Sequence, residues 1–255
     1  MTPAPNSPTP SVLSDAELDR QEWRTARLQN LRSPQGNLAL VETRWLPAGA
    51  SAQTDAEALV GWPDTVTVTR LVRTSLETDE PEHGLRFWDA CSPAIMNFDT
   101  VSIFAYDPRW VIDAIFTPVT AGHTVQFEHI RDNGGSRALA VPGDITFERD
   151  GIAYRLSAFD DGGVLLLVFG DATNSAADET KTYSAGRFLF VERPKSDAEF
   201  SDAGSVRLDF NKAFVPPCGF SDQYNCPLPP VQNRFAIAIK AGERAVHFTD
   251  GYSLS

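Results

Sequence analysis

The chain has 255 residues, of which 42% are hydrophobic and 22% charged, and its net charge is −12. This length and composition suit a globular protein that buries a sizeable core without needing a metal or disulfide to hold it. The acidity excludes the basic surface that nucleic acid binding requires and disfavours docking on anionic membranes.

Residues 1–12 are dominated by Pro, Thr and Ser and are expected to form a disordered tail. No basic segment followed by an apolar run opens the chain, and no apolar stretch reaches membrane-spanning length, so a cytoplasmic location is expected. Ser14 then begins the pattern Ser-Asp-Ala-Glu, with Glu17 placed to complete a capping box. The spacing predicts a helix over 15–31, with Trp23, Leu28 and Leu31 as core contacts, ended by Ser33-Pro34-Gln35-Gly36.

Beyond it the period changes to two. Strands are predicted over 38–46, 65–72, 100–106, 111–116, 124–130, 145–149, 152–159, 164–169, 187–191, 206–210, 235–240 and 245–248. Residues 65–69 alternate Thr and Val, as in a sheet with one wet face. Residues 164–169 do not alternate and read as a central strand buried on both faces. Asp132-Asn133-Gly134-Gly135, Asp150-Gly151 and Asp160-Asp161-Gly162-Gly163 are turn chemistry. Short strands at this spacing, without βαβ alternation or repeats, predict a mostly β fold. The expected form is an antiparallel β sandwich or partly open barrel with one N-terminal helix. A single β-rich domain is expected over 13–255, with a looser part over 13–98 and a motif-bearing part over 99–250.

Two stretches carry unlike polar groups. The first is DFNKAFVPPCGFSDQYNCPLPPVQNR, residues 209–234. Its prolines fix φ and remove donors, so it is a stiff irregular loop. Cys218 and Cys226 are open to three readings: small buried side chains anchoring the loop, a local disulfide, or a metal-binding or reactive thiol pair. Asp209, Asn211, Lys212, Asn233 and Arg234 either satisfy the loop's backbone or form a ligand site, in which Arg234 offers a planar fork for carboxylate or phosphate. The second stretch is FGDATNSAADETKTYSAGRF, residues 169–188, where a strand end delivers Asp171 and Thr173 and the chain returns through Thr182, Tyr183, Gly186 and Arg187. It reads as a site or as a turn-bearing surface loop. The two loops are expected to meet at one end of the sheet.

The three cysteines and four histidines show no metal-ligand spacing, and there is no nucleophile elbow, P-loop or dinucleotide fingerprint. No metal and no cofactor is expected. His129, in a strand-like run, reads as a half-buried sheet residue rather than a base.

The phrases LDFNKAFVPPCGFSDQYNCPLPPVQNRFAIAIKAGER and FGDATNSAADETKTYSAGRFLF resemble the signature of the bacterial and archaeal family called domain of unknown function 1684. The resemblance is concentrated over 145–244. It implies unity of fold and no reaction. It also implies that Asp171, Thr173, Thr182, Tyr183, Gly186, Arg187, Asp209, Asn211, Lys212, Cys218, Cys226, Asn233 and Arg234 fall on signature positions. Val215 stands where the family has Asn. Three functions follow as expectations. The first is a module binding a small anionic molecule or peptide, with Arg187, Lys212 and Arg234 as charge partners and Thr173, Tyr183, Asn211 and Asn233 beside them. The second is a hydrolase using Asp171 or Asp209 as base and Lys212 or Arg234 on an anion. The third is a structural protein whose proline–cysteine loop plugs the β core.

Overall fold

The structure is a computed structural model, and it describes residues 13–47, 53–78, 80–193, 200–249 and 251–254. The expected tail over 1–12 lies outside the described residues, apart from its boundary at Leu13. Helix α1 (Asp15–Leu31) forms as its cap pattern dictates: Glu17 N–H donates to Ser14 Oγ at 3.3 Å, and Ser14 N–H donates to Glu17 Oε2 at 2.9 Å. Leu31 is buried, and Leu28 and Trp23 pack at the margins of two apolar clusters. Among the described residues, no helix is long and apolar enough to cross a membrane.

The remaining elements are short. In chain order they are β1 (Leu40–Trp45), α2 (Asp55–Ala58), β2 (Val66–Thr74), β3 (Pro81–Asp89), α3 (Pro93–Asn97), β4 (Phe98–Ile103), β5 (Val111–Pro118), β6 (Thr124–Glu128) and β7 (Ser136–Ala140). They continue with β8 (Gly143–Arg149), β9 (Ile152–Asp160), β10 (Leu165–Phe169), β11 (Arg187–Phe190), β12 (Gly204–Asp209) and β13 (Glu243–Phe248). Six of them make one antiparallel sheet in the order β11-β10-β9-β8-β5-β12. The sheet curls until Glu192, just past β11, exchanges backbone hydrogen bonds of 3.1 and 2.9 Å with Arg207 of β12. The result is a partly open barrel, one of the two forms expected from the strand spacing. A three-stranded sheet (β1-β3-β2), the β6–β7 hairpin and the β13–β4 pair surround it.

Strand β10 positions the rest. Every residue in it is buried. Leu165, Leu167 and Phe169 point into the barrel with Phe116, Leu156, Leu208, Phe210 and Phe235. Leu166 and Val168 point the other way, to a second core with Phe127, Phe188, Trp88 and Tyr224. A run without polar alternation is what a strand between two cores requires. The turns also fall where the sequence placed them, with Asp150 and Gly151 at φ of 53 and 75° between β8 and β9.

Two strands were not expected. Strand β3 contains Pro81 and Gly84, which weaken any strand reading. Gly84 belongs there because a Cβ would sit 2.9 Å from the Trp45 ring. The five-residue β7 lies in a run the pattern left as connection. The predicted strand over 235–240 is absent. Its backbone serves a buried polar group instead, as described next.

Candidate functional site

The two signature loops do meet. Phe235 N–H donates to Gly170 O at 2.8 Å, Ala172 N–H donates to Ile237 O at 3.2 Å, and the Tyr183 hydroxyl donates to Cys218 O at 3.1 Å. Gly186, at φ +96°, allows the crossing, because a Cβ there would stand 2.6 Å from the Pro229 ring and 2.7 Å from Phe169 O.

At the junction Arg187 and Asp171 form an ion pair of 2.7 Å with both side chains fully out of solvent. Arg187 Nη2 also donates to Ile239 O at 2.8 Å, and Nη1 donates to Ala241 O and, at 3.3 Å, to Glu243 O. Asp171 Oδ1 accepts from Thr173 N–H at 2.8 Å, from Thr173 Oγ1 at 2.6 Å and from Ile239 N–H at 3.2 Å. Within the segment over 235–240 the Ile239 carbonyl and amide both turn toward this pair, while Phe235 N–H and Ile237 O bond the Gly170–Ala172 loop, so its backbone groups are satisfied outside any strand ladder. Thr182 closes the network, 2.7 Å from Thr173 Oγ1.

The other predicted positions are arranged the same way. Asp209 Oδ1 accepts from Asn211 N–H at 3.0 Å and from its Nδ2 at 2.9 Å, while Asn211 brackets the Asp107 backbone at 2.9 and 3.0 Å. Lys212 Nζ pairs with Glu192 and Asp19, each at 2.8 Å. Asn233 bridges Ser157 and Val168. Thr173, Arg187, Asn211 and Asn233 are at most 1% exposed and the Asp171 side chain is fully out of solvent, so no ligand touches these side chains without opening the fold. Arg234 is exposed beside a shallow groove with Ser184 and Pro229, its Nε donating to Pro229 O at 3.0 Å.

Glu243 backs the same junction. It is 3% exposed, accepts from Val215 N–H at 2.8 Å and pairs with Arg27 at 3.3 Å. Burial pushes its carboxyl up from the ordinary 4.5, and the Arg27 charge only partly opposes this. A folded-state pKa above the unfolded one means that the stabilising proton is present below the ordinary carboxylate range and is lost as pH rises through the raised value. Urea unfolding of wild type and Glu243→Gln across pH 4–8 should show wild type losing stability relative to the variant as pH rises. A pH-independent difference would contradict this.

An open polar cleft of about 400 Å³ lies elsewhere, between β2, β3, the turn after β6 and residues 222–225. Arg73, Arg86, Arg131 and Arg137 all line it, with His129, Asp132 and Asn225. Two of these guanidinium groups are occupied. Arg137 holds Asp132 at 2.7 Å, and Arg73 holds Glu82 at 2.6 Å while lying 3.8 Å over the Trp45 ring. Burial works against the Asp132 charge, but hydrogen bonds from Arg137 and Asn225 hold its pKa below the ordinary value. Arg131 donates through Nε to Tyr224 O at 3.0 Å, and among the described residues its terminal nitrogens make no hydrogen bond.

Arg86 differs from the others. Its guanidinium lies 5.2 Å over the Tyr224 ring, and its buried Nε has no hydrogen-bond partner. His129 completes the wall. Burial lowers its pKa, so it is neutral near pH 7, and its Nδ1 lies 3.0 Å from Phe127 O. A carbonyl can only accept, so Nδ1 carries the proton and Nε2 is left as an acceptor.

Residues 96–244, more than half of the chain, match the family described as protein of unknown function (DUF1684). The chain belongs to this family. It is also similar to an uncharacterised protein of Haloarcula marismortui solved by solution NMR, at 31% identity and a TM-score of 0.45, covering 58% of this chain and 77% of that one. No curated protein matches the sequence. Within the DUF1684 match lie both signature loops and the His129, Arg131, Asp132, Arg137 and Asn225 side of the cleft, while Arg73 and Arg86 come from the preceding three-stranded sheet. The cleft residues escaped the sequence reading because they are single residues from separate segments. The faint signal was four arginines, Arg73, Arg86, Arg131 and Arg137, spread over separate segments of an acidic chain.

Cys218 and Cys226 of this DUF1684 member are free thiols side by side, the Cys218 N–H donating to Cys226 Sγ at 3.2 Å. Among the described residues no group of His, Cys, Asp or Glu is arranged to hold a metal ion.

Proposed function

We propose that this protein is a binding module for a small anion, or for the anionic group of a peptide, seated in the arginine cleft between Arg86 and Arg131. The observation that carries this reading is Arg86. Acidic residues outnumber basic ones by 34 to 22, yet among the described residues no carboxylate pairs with it and its buried Nε donates to nothing. A half-buried guanidinium without an acceptor is costly, and its planar fork matches carboxylate or phosphate. His129 Nε2 would accept from a protonated oxygen of the same ligand. The net charge of −12 argues against nucleic acid or an anionic bilayer as the partner. The hydrolase alternative draws less support, since both Asp171 oxygens are engaged in a buried ion pair and Asp209 Oδ1 is held by the Asn211 amide groups. A cytoplasmic setting fits the reading, because the two neighbouring thiols stay reduced there.

Calorimetric titration with inorganic phosphate and with acetate tests the proposal. Wild type should bind at least one of them, and Arg86→Ala should weaken binding tenfold or more. The urea midpoint should barely move, because the Arg86 head makes no hydrogen bond that folding depends on. Absence of binding by wild type to either anion would sink the proposal. Loss on Arg234→Ala but not on Arg86→Ala would move the site to the groove beside Pro229.

A further inference from the structure

The proline-flanked turn holds two sulfurs together by its backbone. Pro216 and Pro217 fix the approach to Cys218, and Gly219 N–H closes a turn onto Pro216 O at 2.8 Å. On the far side, Ile130 N–H donates to Cys226 O at 3.0 Å and Leu228 N–H donates to Glu128 O at 2.7 Å. Between these anchors the Cys218 N–H reaches Cys226 Sγ at 3.2 Å. The Tyr183 hydroxyl stands 3.5 Å from Cys218 Sγ. Cys226 is buried, while Cys218 is half-buried and so within reach of a small reagent. Packing alone does not require two adjacent thiols with a tyrosine hydroxyl beside the more exposed one.

We propose that Cys218 and Cys226 form a redox site, a dithiol that closes to an intramolecular disulfide on exposure to a peroxide and is reopened by a thiol reductant. The Cys218 thiolate attacks one peroxide oxygen. The O–O bond breaks, one water leaves, and Cys218 becomes a sulfenic acid. Cys226 sulfur then attacks Cys218 sulfur. Its proton and the sulfenic hydroxyl leave as the second water, so two thiols lose two electrons and one peroxide becomes two waters.

The environment assigns the two roles. The hydrogen bond from the Cys226 thiol holds the Cys218 pKa below its ordinary value, with Tyr183 adding to it, whereas the same contact and burial push Cys226 well above its own. Burial raises Tyr183 too, so its hydroxyl keeps its one proton, shared between Cys218 O at 3.1 Å and Cys218 Sγ at 3.5 Å. Cys218 is thus the attacking thiol and Cys226 the resolving one. The turn being closed also carries the Arg131 contacts, through Tyr224 O and Asn225 Oδ1, but the redox chemistry does not depend on what the cleft binds.

The test uses the folded full chain carrying Cys91→Ser, which removes the exposed third thiol. It is treated with hydrogen peroxide and weighed by mass spectrometry before and after dithiothreitol. The expected result is a loss of two hydrogens, restored by the reductant, with both remaining cysteines protected from alkylation while oxidised. Adding Cys226→Ser should stop the reaction at a Cys218 sulfenic acid that dimedone traps. Adding Cys218→Ser should leave Cys226 unoxidised. The proposal is overturned if the Cys91→Ser protein keeps its mass, if Cys218 gains oxygens while Cys226 still alkylates, or if the disulfide forms only between two chains.

Discussion

Replacing Asp171 with alanine should lower the unfolding free energy by about 3–5 kcal/mol, the cost of leaving a buried charge without its partner. Arg187 has no solvent-exposed surface, and among the described residues Asp171 is its only anionic partner in direct contact. Without the carboxylate the guanidinium keeps only the Ile239, Ala241 and Glu243 carbonyls, and its Nε has no partner even in wild type. Three donors, Thr173 N–H, Thr173 Oγ1–H and Ile239 N–H, lose their acceptor in the same step. Arg187→Met should be as damaging for the opposite reason, since it strands a buried carboxylate and three carbonyls.

In many proteins, exchanging both members of a buried pair for apolar groups restores stability. Here the double variant Asp171→Leu/Arg187→Met should stay well below wild type, because the carbonyls that Arg187 caps lose their donors either way. Urea midpoints for the two single variants and the double variant decide the matter. A loss under about 1 kcal/mol for Asp171→Ala, small beside the cost of breaking a buried pair, would show that the pair does not hold the loops.

Why did the same residues read as a ligand site in the sequence? Residue types that pin an irregular backbone are the types that bind ligands: Asp, Asn, Thr and Arg. Because both loops, 171–187 and 209–234, leave strands carrying unlike polar groups of matching kind, they were expected to meet, and the Tyr183–Cys218 bond and the Gly170–Arg234 bridge join them. Burial is what separates the two roles, and burial is set by contacts distant in sequence, such as Arg187 with Ile239 and Ala241.

The barrel was easier to read, because each cue was local. The capping box of α1, the unalternating run of β10 and the turn at Asp150-Gly151 act within a few residues. Strand β3 was missed where tertiary packing overrode local cues, with the Trp45 ring filling the space above Gly84. The arginine cleft was out of reach for the opposite reason. Ion pairs such as Arg137 with Asp132 can be counted from a structure, but the lack of one for Arg86 has no trace in the sequence.

Asn233→Ala should destabilise the protein by about 4 kcal/mol, at about 1–3 kcal/mol for each buried group left unpaired. The β9–β10 ladder runs from Asp160–Leu165 to Ala158–Leu167 and stops there. The next pair in register would be Ser157 and Val168. Instead the strands part, and the Asn233 amide enters between them. Its Nδ2 donates to Ser157 O and to Val168 O, each at 2.8 Å, and its Oδ1 accepts from Ser157 N–H at 3.0 Å. One side chain thus replaces a rung of the barrel and fixes the C-terminal signature segment to it. The Asn233 carbonyl adds a bond from Gly170 N–H at 3.1 Å, and Phe235, two residues on, packs into the barrel core. Asn233→Asp keeps the shape but turns an oxygen toward two carbonyls, so it should be at least as damaging as alanine at pH 7. Urea unfolding measures both, and amide exchange at Ser157 localises the effect, since that N–H should lose protection before its neighbours in β9. A folded Asn233→Ala variant with a wild-type midpoint and weakened phosphate binding would instead return this residue to a ligand site.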